Sequence, residues 1–378
     1  MTDLKVKALE LYDGGLTNRT NLAKELKQEY GGSYTDGTFR KKVSKIIIKE
    51  RGAPVTFLQT EILKVTGRST LKDSDGNLVM EWTKTSIDKE QQDQAMIASI
   101  KAMRESIQPY ESQPFKFLIT NKNLCNQYTI TDYHLGLMAW GEESGSDWDM
   151  QIAEDMLVKW FATAIELSPL ADQAIFAQIG DFLHWDGLDA VTPMSKHVLD
   201  ADTRYTKLVR VAVRVIRRVI SMLLEKYPKV HMVMAEGNHD MASSVWLREM
   251  FSMFYADEPR LTIDRNPDPY YNFNWGKVCL FYHHGHKRNL KNIDTVFVSK
   301  FKEAFGMSQH TYGHTGHLHH DKVNETNLMV IEQHRTLAAK DAYASRGGYM
   351  SGRDSKVITY HKEFGEVARN TINPEMLK

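Results

Sequence analysis

Aspartate, asparagine and histidine recur in this chain as short clusters, each set at or just after an apolar run. Asp132 and His134 follow residues 128–131, and Asp181 follows 174–179 and Gly180. Asn238, His239 and Asp240 follow 230–234; His283, His284 and His286 follow 278–282; His317 and His319 lie in Gly316-His-Leu-His. Any one of these residues has an ordinary structural reading, as a turn former or a hydrogen-bonded histidine. Five such clusters in one chain call for a common cause. Carboxylate, amide and imidazole make a hard-to-borderline donor set that suits Mn, Fe or Zn, and the donors suffice for two cations.

For five loops to meet, the strands before them must end at one edge, as in an open α/β sheet, where loops leaving the carboxyl ends share a crevice. The pattern beyond Pro114 has that rhythm. It predicts strands over 115–119, 128–131, 174–179 and 230–234, with helices over 149–167 and 203–226 between them. Further strand-like runs at 278–282, 328–332 and 357–360 make the end of the chain too strand-rich for a simple doubly wound sheet, so a layered α/β sandwich is expected.

Residues 1–52 read as three short helices separated by Gly14-Gly15 and Gly31-Gly32. Leu4, Ala8 and Leu11 mark the first. Leu22, Ala23 and Leu26 mark the second, after a Thr20 cap. Phe39, Val43, Ile46 and Ile47 mark the third, after Thr35 or Asp36. The third helix also carries Arg40, Lys41, Lys42, Lys45 and Lys49, with Arg51 beyond, so the segment resembles a helix-turn-helix module whose basic face suits DNA phosphates. A solvated basic face is the competing reading. Residues 53–112 read as a connector, with a hairpin from 62–65 and 78–82 about Asp75-Gly76 and a helix over 88–107, before Pro109 and Pro114 open the domain 113–378.

The 378 residues have room for one large domain and a small one, and 42% hydrophobic with 25% charged residues is ordinary for a folded chain. Net charge is zero, so attraction to nucleic acid must come from a local patch. The two cysteines, Cys125 and Cys279, lack the spacing of a zinc or disulfide framework and read as buried thiols. No apolar run approaches the ~20 residues of a membrane span, and the N-terminus does not read as a signal peptide, so a cytoplasmic location is expected.

The clusters, taken in order as Asp132-Tyr-His134, Gly180-Asp181-Phe-Leu-His184, Gly237-Asn238-His239-Asp240, His284-Gly285 and Gly316-His317-Leu-His319, resemble the five blocks of the calcineurin-like metallophosphoesterases. Single blocks are weak signals and the ordered set is specific. The resemblance covers roughly 115–365. It implies an α-β-β-α metallophosphoesterase sandwich behind the small all-α N-terminal module, with two divalent cations, Mn²⁺ foremost and Fe or Zn as alternatives. One cation would take Asp132, His134, Asp181 and His319, and the other Asp181, Asn238, His284 and His317. The resemblance makes Asp181 the bridge, at a metal separation of ~3.5–4 Å. It gives His239 the task of protonating the leaving oxygen and Asp240 that of orienting nearby groups.

Within the family, the protein Ser/Thr phosphatases carry Gly-Asp-x-x-Asp-Arg and Arg-Gly-Asn-His-Glu, whereas this chain has His184, Trp185 and Glu236 at the corresponding places. Missing arginines count against gripping a phosphomonoester. Gly-Asp-x-x-His followed by Gly-Asn-His-Asp is similar to the double-strand-break repair nucleases of the SbcD type, which would make His184 a second catalytic or phosphate-binding residue. The absent second Asp leaves Asp186 or Asp240 to orient His239. DNA processing is the leading expectation. A phosphatase or phosphodiesterase for a small nucleotide or other phosphoester is the alternative, and a DNA-binding regulator with a degenerate domain is a third.

Overall fold

The computed structural model describes residues 2–13, 19–30, 63–72, 78–87, 119–193 and 195–377, together with Phe39, Lys42, Val43 and Ile46. The chain divides into two units, Met1–Ala98 and Ser99–Lys378.

In the first unit, α1 (Thr2–Asp13) and α2 (Arg19–Tyr30) share a core of Leu4, Ala8, Ala23 and Leu26 with Phe39 and Val43. The helical spacing expected from the sequence therefore does place those side chains on one face. Arg40, Lys41, Lys45, Lys49 and Arg51 lie outside the described residues, as does the helix expected over 88–107. The hairpin is present as β1 (Leu63–Lys72) paired antiparallel with β2 (Leu78–Ile87), longer than the sequence pattern indicated.

The second unit is a mixed α/β fold with two sheets. In the first sheet β3 (Asn121–Ile130), β4 (Ala171–Gln178), β5 (Lys229–Met234) and β6 (Leu261–Ile263) run parallel. The antiparallel pair β12 (Ser355–His361) and β13 (Gly365–Ile372) extends it beyond β3. The second sheet has the order β10-β11-β9-β8-β7, from β7 (Tyr271–Trp275), β8 (Val278–Tyr282), β9 (His310–Thr315), β10 (Lys322–Glu325) and β11 (Val330–Gln333). Here β8, β9 and β11 are parallel.

Period-two alternation builds the layers. Val278, Leu280 and Tyr282 of β8 face Ile175, Ala177, Val233 and Ile358 of the other sheet across a shared core. The intervening Cys279 and Phe281 turn to the outer side, where Ile293 and Phe297 of α6 (Ile293–Lys300) cover them. On the outer face of the first sheet, Phe161 of α3 (Met150–Leu167) meets Tyr128 and Phe176, with α4 (Tyr205–Lys226) beside it. The Asp149 side chain caps α3 by accepting from the Ile152 N–H. Both cysteines are buried thiols.

The strand expected over 128–131 begins already at Asn121, whereas Ile119, expected at the end of a strand over 115–119, has no regular structure and is exposed. Polar residues hid β3. Asn126 is buried as a hub, donating to the Pro169 carbonyl and to Tyr227 and accepting from Thr359, while Gln127 donates to Thr129 and accepts from Tyr282. Satisfied in this way, amides tolerate a central strand that their propensity disfavours.

Candidate metal centre

Five parallel strands, three from one sheet and two from the other, end at the same edge, and each is followed by one of the clusters. β3 delivers Asp132 and His134, β4 Asp181, β5 Asn238 and His239, β8 His284, and β9 His317 and His319. Backbone hydrogen bonds hold these loops together: Asp132 N–H donates to the Gly180 carbonyl, His134 N–H to that of Asp181, and Gly316 N–H to that of His284.

The backbone at these positions is unusual. Six non-glycine residues among those described have positive φ, and five are Asp132, His134, Asp181, His317 and His319, with φ between 45° and 73°. Such conformations cost of order 1–3 kcal/mol each and persist where surrounding structure enforces them. The glycines beside them have a steric reason. A Cβ on Gly237 would stand 1.9 Å from Oδ1 of Asp181, one on Gly316 1.9 Å from Oγ1 of Thr131 and 2.5 Å from Oδ2 of Asp132, and one on Gly180 2.6 Å from the His284 ring.

Among the described residues, the donor atoms of Asp132, His134 and His319 form one set within 4.8 Å of one another and those of Asp181, His284 and His317 another; His134 also groups in this way with His184 and His239. In the first, Nε2 of His319 lies 3.1 Å from Oδ1 of Asp132 and 3.3 Å from Nε2 of His134. Around the second, Nε2 of His284 lies 3.0 Å from Oδ2 of Asp181 and 3.2 Å from Oδ1 of Asn238. Separations near 3 Å are what ligands at about 2.0–2.2 Å from a shared cation would have. The two sets adjoin, with Nε2 of His284 3.8 Å from Oδ1 of Asp132. Asp132, His134, Asp181 and His284 form a buried floor, and Asn238, His239, His317 and His319 a half-buried rim.

The residues fit divalent cations. Oδ1 of Asp132 is buried and accepts no hydrogen bond, although His319 stands close by. Burial opposes ionisation of Asp132 and Asp181, yet the neighbouring histidines outweigh it and hold both carboxyls low. The same contacts act in reverse on His284: burial works against its proton, but Asp181 and Asp132 push its pKa up to about 10. Its Nδ1 is hydrogen-bonded to the Ile179 carbonyl at 2.8 Å, which fixes the ring and aims Nε2 at the carboxylates.

Supporting contacts were only partly legible beforehand. Thr131 donates to Oδ2 of Asp132 over 2.7 Å and Thr336 to its carbonyl over 2.6 Å. Thr131 is adjacent in sequence, whereas nothing in the sequence ties Thr336 to the site. Neither Asp186 nor Asp240 orients His239, contrary to the sequence expectation. Nδ1 of His239 instead donates to the His184 carbonyl over 2.8 Å. Asp186 accepts from the N–H groups of Ala242 and Ser243, at the start of α5 (Met241–Phe254). Asp240 accepts from the N–H groups of Asp181, Leu183 and Gly237, stapling two ligand loops.

His184 is buried, with Nδ1 3.2 Å from Nδ1 of His134 and its ring stacked 5.6 Å from His239; burial drives its pKa down to about 3, so it is a neutral ring. His283, next to His284, turns away to stack on Tyr270 and accepts from the Gly285 N–H. Trp148 and Trp185 are buried, leaving Trp140 as the exposed aromatic of the three that flank the ligand blocks. His334 is buried against His314, and Arg335 pairs with Asp354.

No protein-family model matches the sequence, and no curated protein matches it. Among solved structures, the chain is similar to a conserved protein of Streptococcus pneumoniae described as a predicted phosphoesterase, at 9% identity and a TM-score of 0.29 over 66% of this chain and 97% of that one. It is also similar to Vps29 of Entamoeba histolytica complexed with zinc, at 8% identity and a TM-score of 0.29 over 66% and 99%. A third is the phosphopantetheinyl hydrolase of Mycobacterium tuberculosis, at 11% identity and a TM-score of 0.25 over 61% and 94%.

Proposed function

We propose that the chain is a metal-dependent phosphoesterase of the calcineurin-like type that cleaves phosphodiesters, with a DNA strand as the leading substrate. One observation carries the reading: two adjoining sets of carboxylate and imidazole donors converge at a single sheet edge, on a backbone held at positive φ at five of the donor residues. Asp132, His134 and His319 would hold one cation, Asn238, His284 and His317 the other, with Asp181 shared between them. What the cations supply when bound is charge neutralisation at the phosphoester and a water acidic enough to attack near neutral pH.

The chain's own groups do the rest. The Nδ1–H of His239 donates a hydrogen bond to the His184 carbonyl, so Nε2 carries a proton only in the imidazolium form. That form can protonate a departing alkoxide. His184 positions His134 and His239, and Asp240 holds the loops that carry Asp181 and Asn238. A diester is favoured because Arg248, the arginine that follows the Asn238 loop, is buried and donates to Tyr271 and the Met234 carbonyl, so it offers no clamp for a dianionic monoester.

A panel tests the reading: bis(p-nitrophenyl) phosphate, p-nitrophenyl phosphate, and single- and double-stranded DNA, each with Mn²⁺. The expected order places diesters above the monoester. Monoester hydrolysis alone would reject the diester assignment. In the same proposal the first unit anchors DNA, and its removal is expected to weaken DNA binding while sparing hydrolysis of the chromogenic diester.

A further inference from the structure

The loop that follows His284 builds a recess that the proposed chemistry does not use. It has a volume of about 230 Å³ and is lined by Gly285, His286, Lys287, Arg288 and Asn289, with the metal-ligand candidate His317 in its wall. The recess is thus continuous with the centre. It is smaller than the ~300–1,000 Å³ typical of pockets for drug-sized ligands, which suits a single compact group.

Leu290 and Leu318 also line it, and two of its residues, Lys287 and Arg288, are cationic. Lys287 and Arg288 are exposed, and among the described residues neither forms an ion pair. Lys287 lies close enough to act on the Glu236 carboxyl, which puts it on the side of the Asn238 loop, and Arg288 lies beside the Tyr270 hydroxyl. Both ring nitrogens of His286 are shielded from solvent yet have no hydrogen-bond partner. Cations gathered beside a centre that itself gathers cations repel it, unless an anion lies between them.

We propose that this recess is a subsite for a second phosphate of the substrate, adjacent to the one being cleaved. The inference rests on the phosphoesterase reading and narrows it to substrates carrying neighbouring phosphates. A nucleic-acid strand and a nucleoside polyphosphate both offer that chemistry. Lys287 and Arg288 would grip the non-reacting phosphate at the mouth, with the His286 ring at its inner wall, and so fix the distance from that phosphate to the scissile one. Arg288, with its planar fork, is suited to a bidentate grip.

The test compares the 378-residue chain with its Lys287→Gln/Arg288→Gln double variant, both supplied with Mn²⁺. Turnover is measured on thymidylyl-thymidine with and without a 5′-phosphate, and on dTTP against p-nitrophenyl thymidine 5′-phosphate. The expected result is a kcat/KM preference for the substrate with the second phosphate that falls about tenfold in the variant, at unchanged Tm. A fall confined to the dinucleotide pair points to a strand, and one confined to dTTP points to a polyphosphate. An unchanged preference in both pairs overturns the subsite. A readout without turnover comes from calorimetric titration with inorganic pyrophosphate: about tenfold weaker binding in the variant supports the subsite, and equal affinity overturns it. Absence of hydrolysis of every ester by the unmodified chain would defeat the phosphoesterase reading instead, and the titration would still decide the subsite.

Discussion

The backbone N–H of His317 donates to Oδ2 of Asp132 over 2.8 Å, so a loop of one sheet is tied directly to a carboxylate of the other. With Thr131 on the same oxygen, Asp132 is left with one free atom, Oδ1, and that atom faces the imidazoles. One oxygen serves the scaffold, and the other is the one the proposal gives to a cation.

Asp181 is predicted to be less replaceable than any other ligand. Asp181→Asn removes the negative charge shared between the two sets, and at least ~10²-fold of the rate should go with it. His239→Ala, by contrast, should keep the metal content and lose about 10²–10⁴-fold in kcat. Metal analysis beside steady-state kinetics checks both. Near-normal turnover in Asp181→Asn, or metal loss in His239→Ala, would contradict the assigned roles.

Cation binding should be coupled to protons with a definite sign. In the cation-free chain the pKa of His284 stands at about 10, so below that pH a cation must displace its proton. Apparent Mn²⁺ affinity is therefore expected to rise with pH between 6 and 9, by about tenfold per unit for one proton released. Chelation should abolish activity, with Mn²⁺ restoring it at least as well as Mg²⁺, since imidazole-rich sites disfavour Mg²⁺. Titrations at three pH values suffice, and a flat affinity would rule out this linkage.

Gly316→Ala should damage the centre without touching a ligand. The added methyl collides with Thr131 and Asp132, at a cost of about 1–3 kcal/mol in stability if the loop shifts to admit it. A displacement of about 1 Å at such a site can cost 10²-fold in rate. A variant with unaltered Tm and unaltered kcat would show that the close approach does not matter.

Away from the centre, Glu332 is buried and held by Lys356 and Arg369. Burial opposes its charge, but His334, Arg369 and Lys356 outweigh burial and hold its carboxyl well below the usual range. A depressed carboxyl contributes stability above its unfolded pKa of about 4.3, and that contribution is lost as pH falls through the folded value. Lys356 keeps Asp321 and the exposed Arg369 keeps Glu366, so Glu332→Gln should destabilise the protein at pH 7 by about 1–3 kcal/mol and flatten the loss of stability on acidification. Chemical denaturation at pH 7 and pH 4 measures both.

Residue type and spacing picked out the side chains that the structure brings together, because Asp, Asn and His follow apolar runs directly. The strand 278–282 was legible to the residue for the same reason: its five side chains are all apolar or aromatic and all buried. Legibility failed where a polar side chain is satisfied by a distant partner. Asn126 and Gln127 disguised a central strand, and Thr336 reaches Asp132 from 204 residues away. The orienting contact of His239 was hidden for a related reason, since a backbone carbonyl leaves no mark in the sequence.

The contact between His317 and Asp132 closes a separation of 185 residues. Closing so long a loop is among the slower events in folding, and neither sheet alone contains both sets of donors. The centre therefore exists only once the two sheets have met. A cation arriving earlier would find scattered single ligands rather than a site. Metal uptake should then report closure of the sandwich, and a chain synthesised in a metal-poor setting would be expected to fold first and fill afterwards.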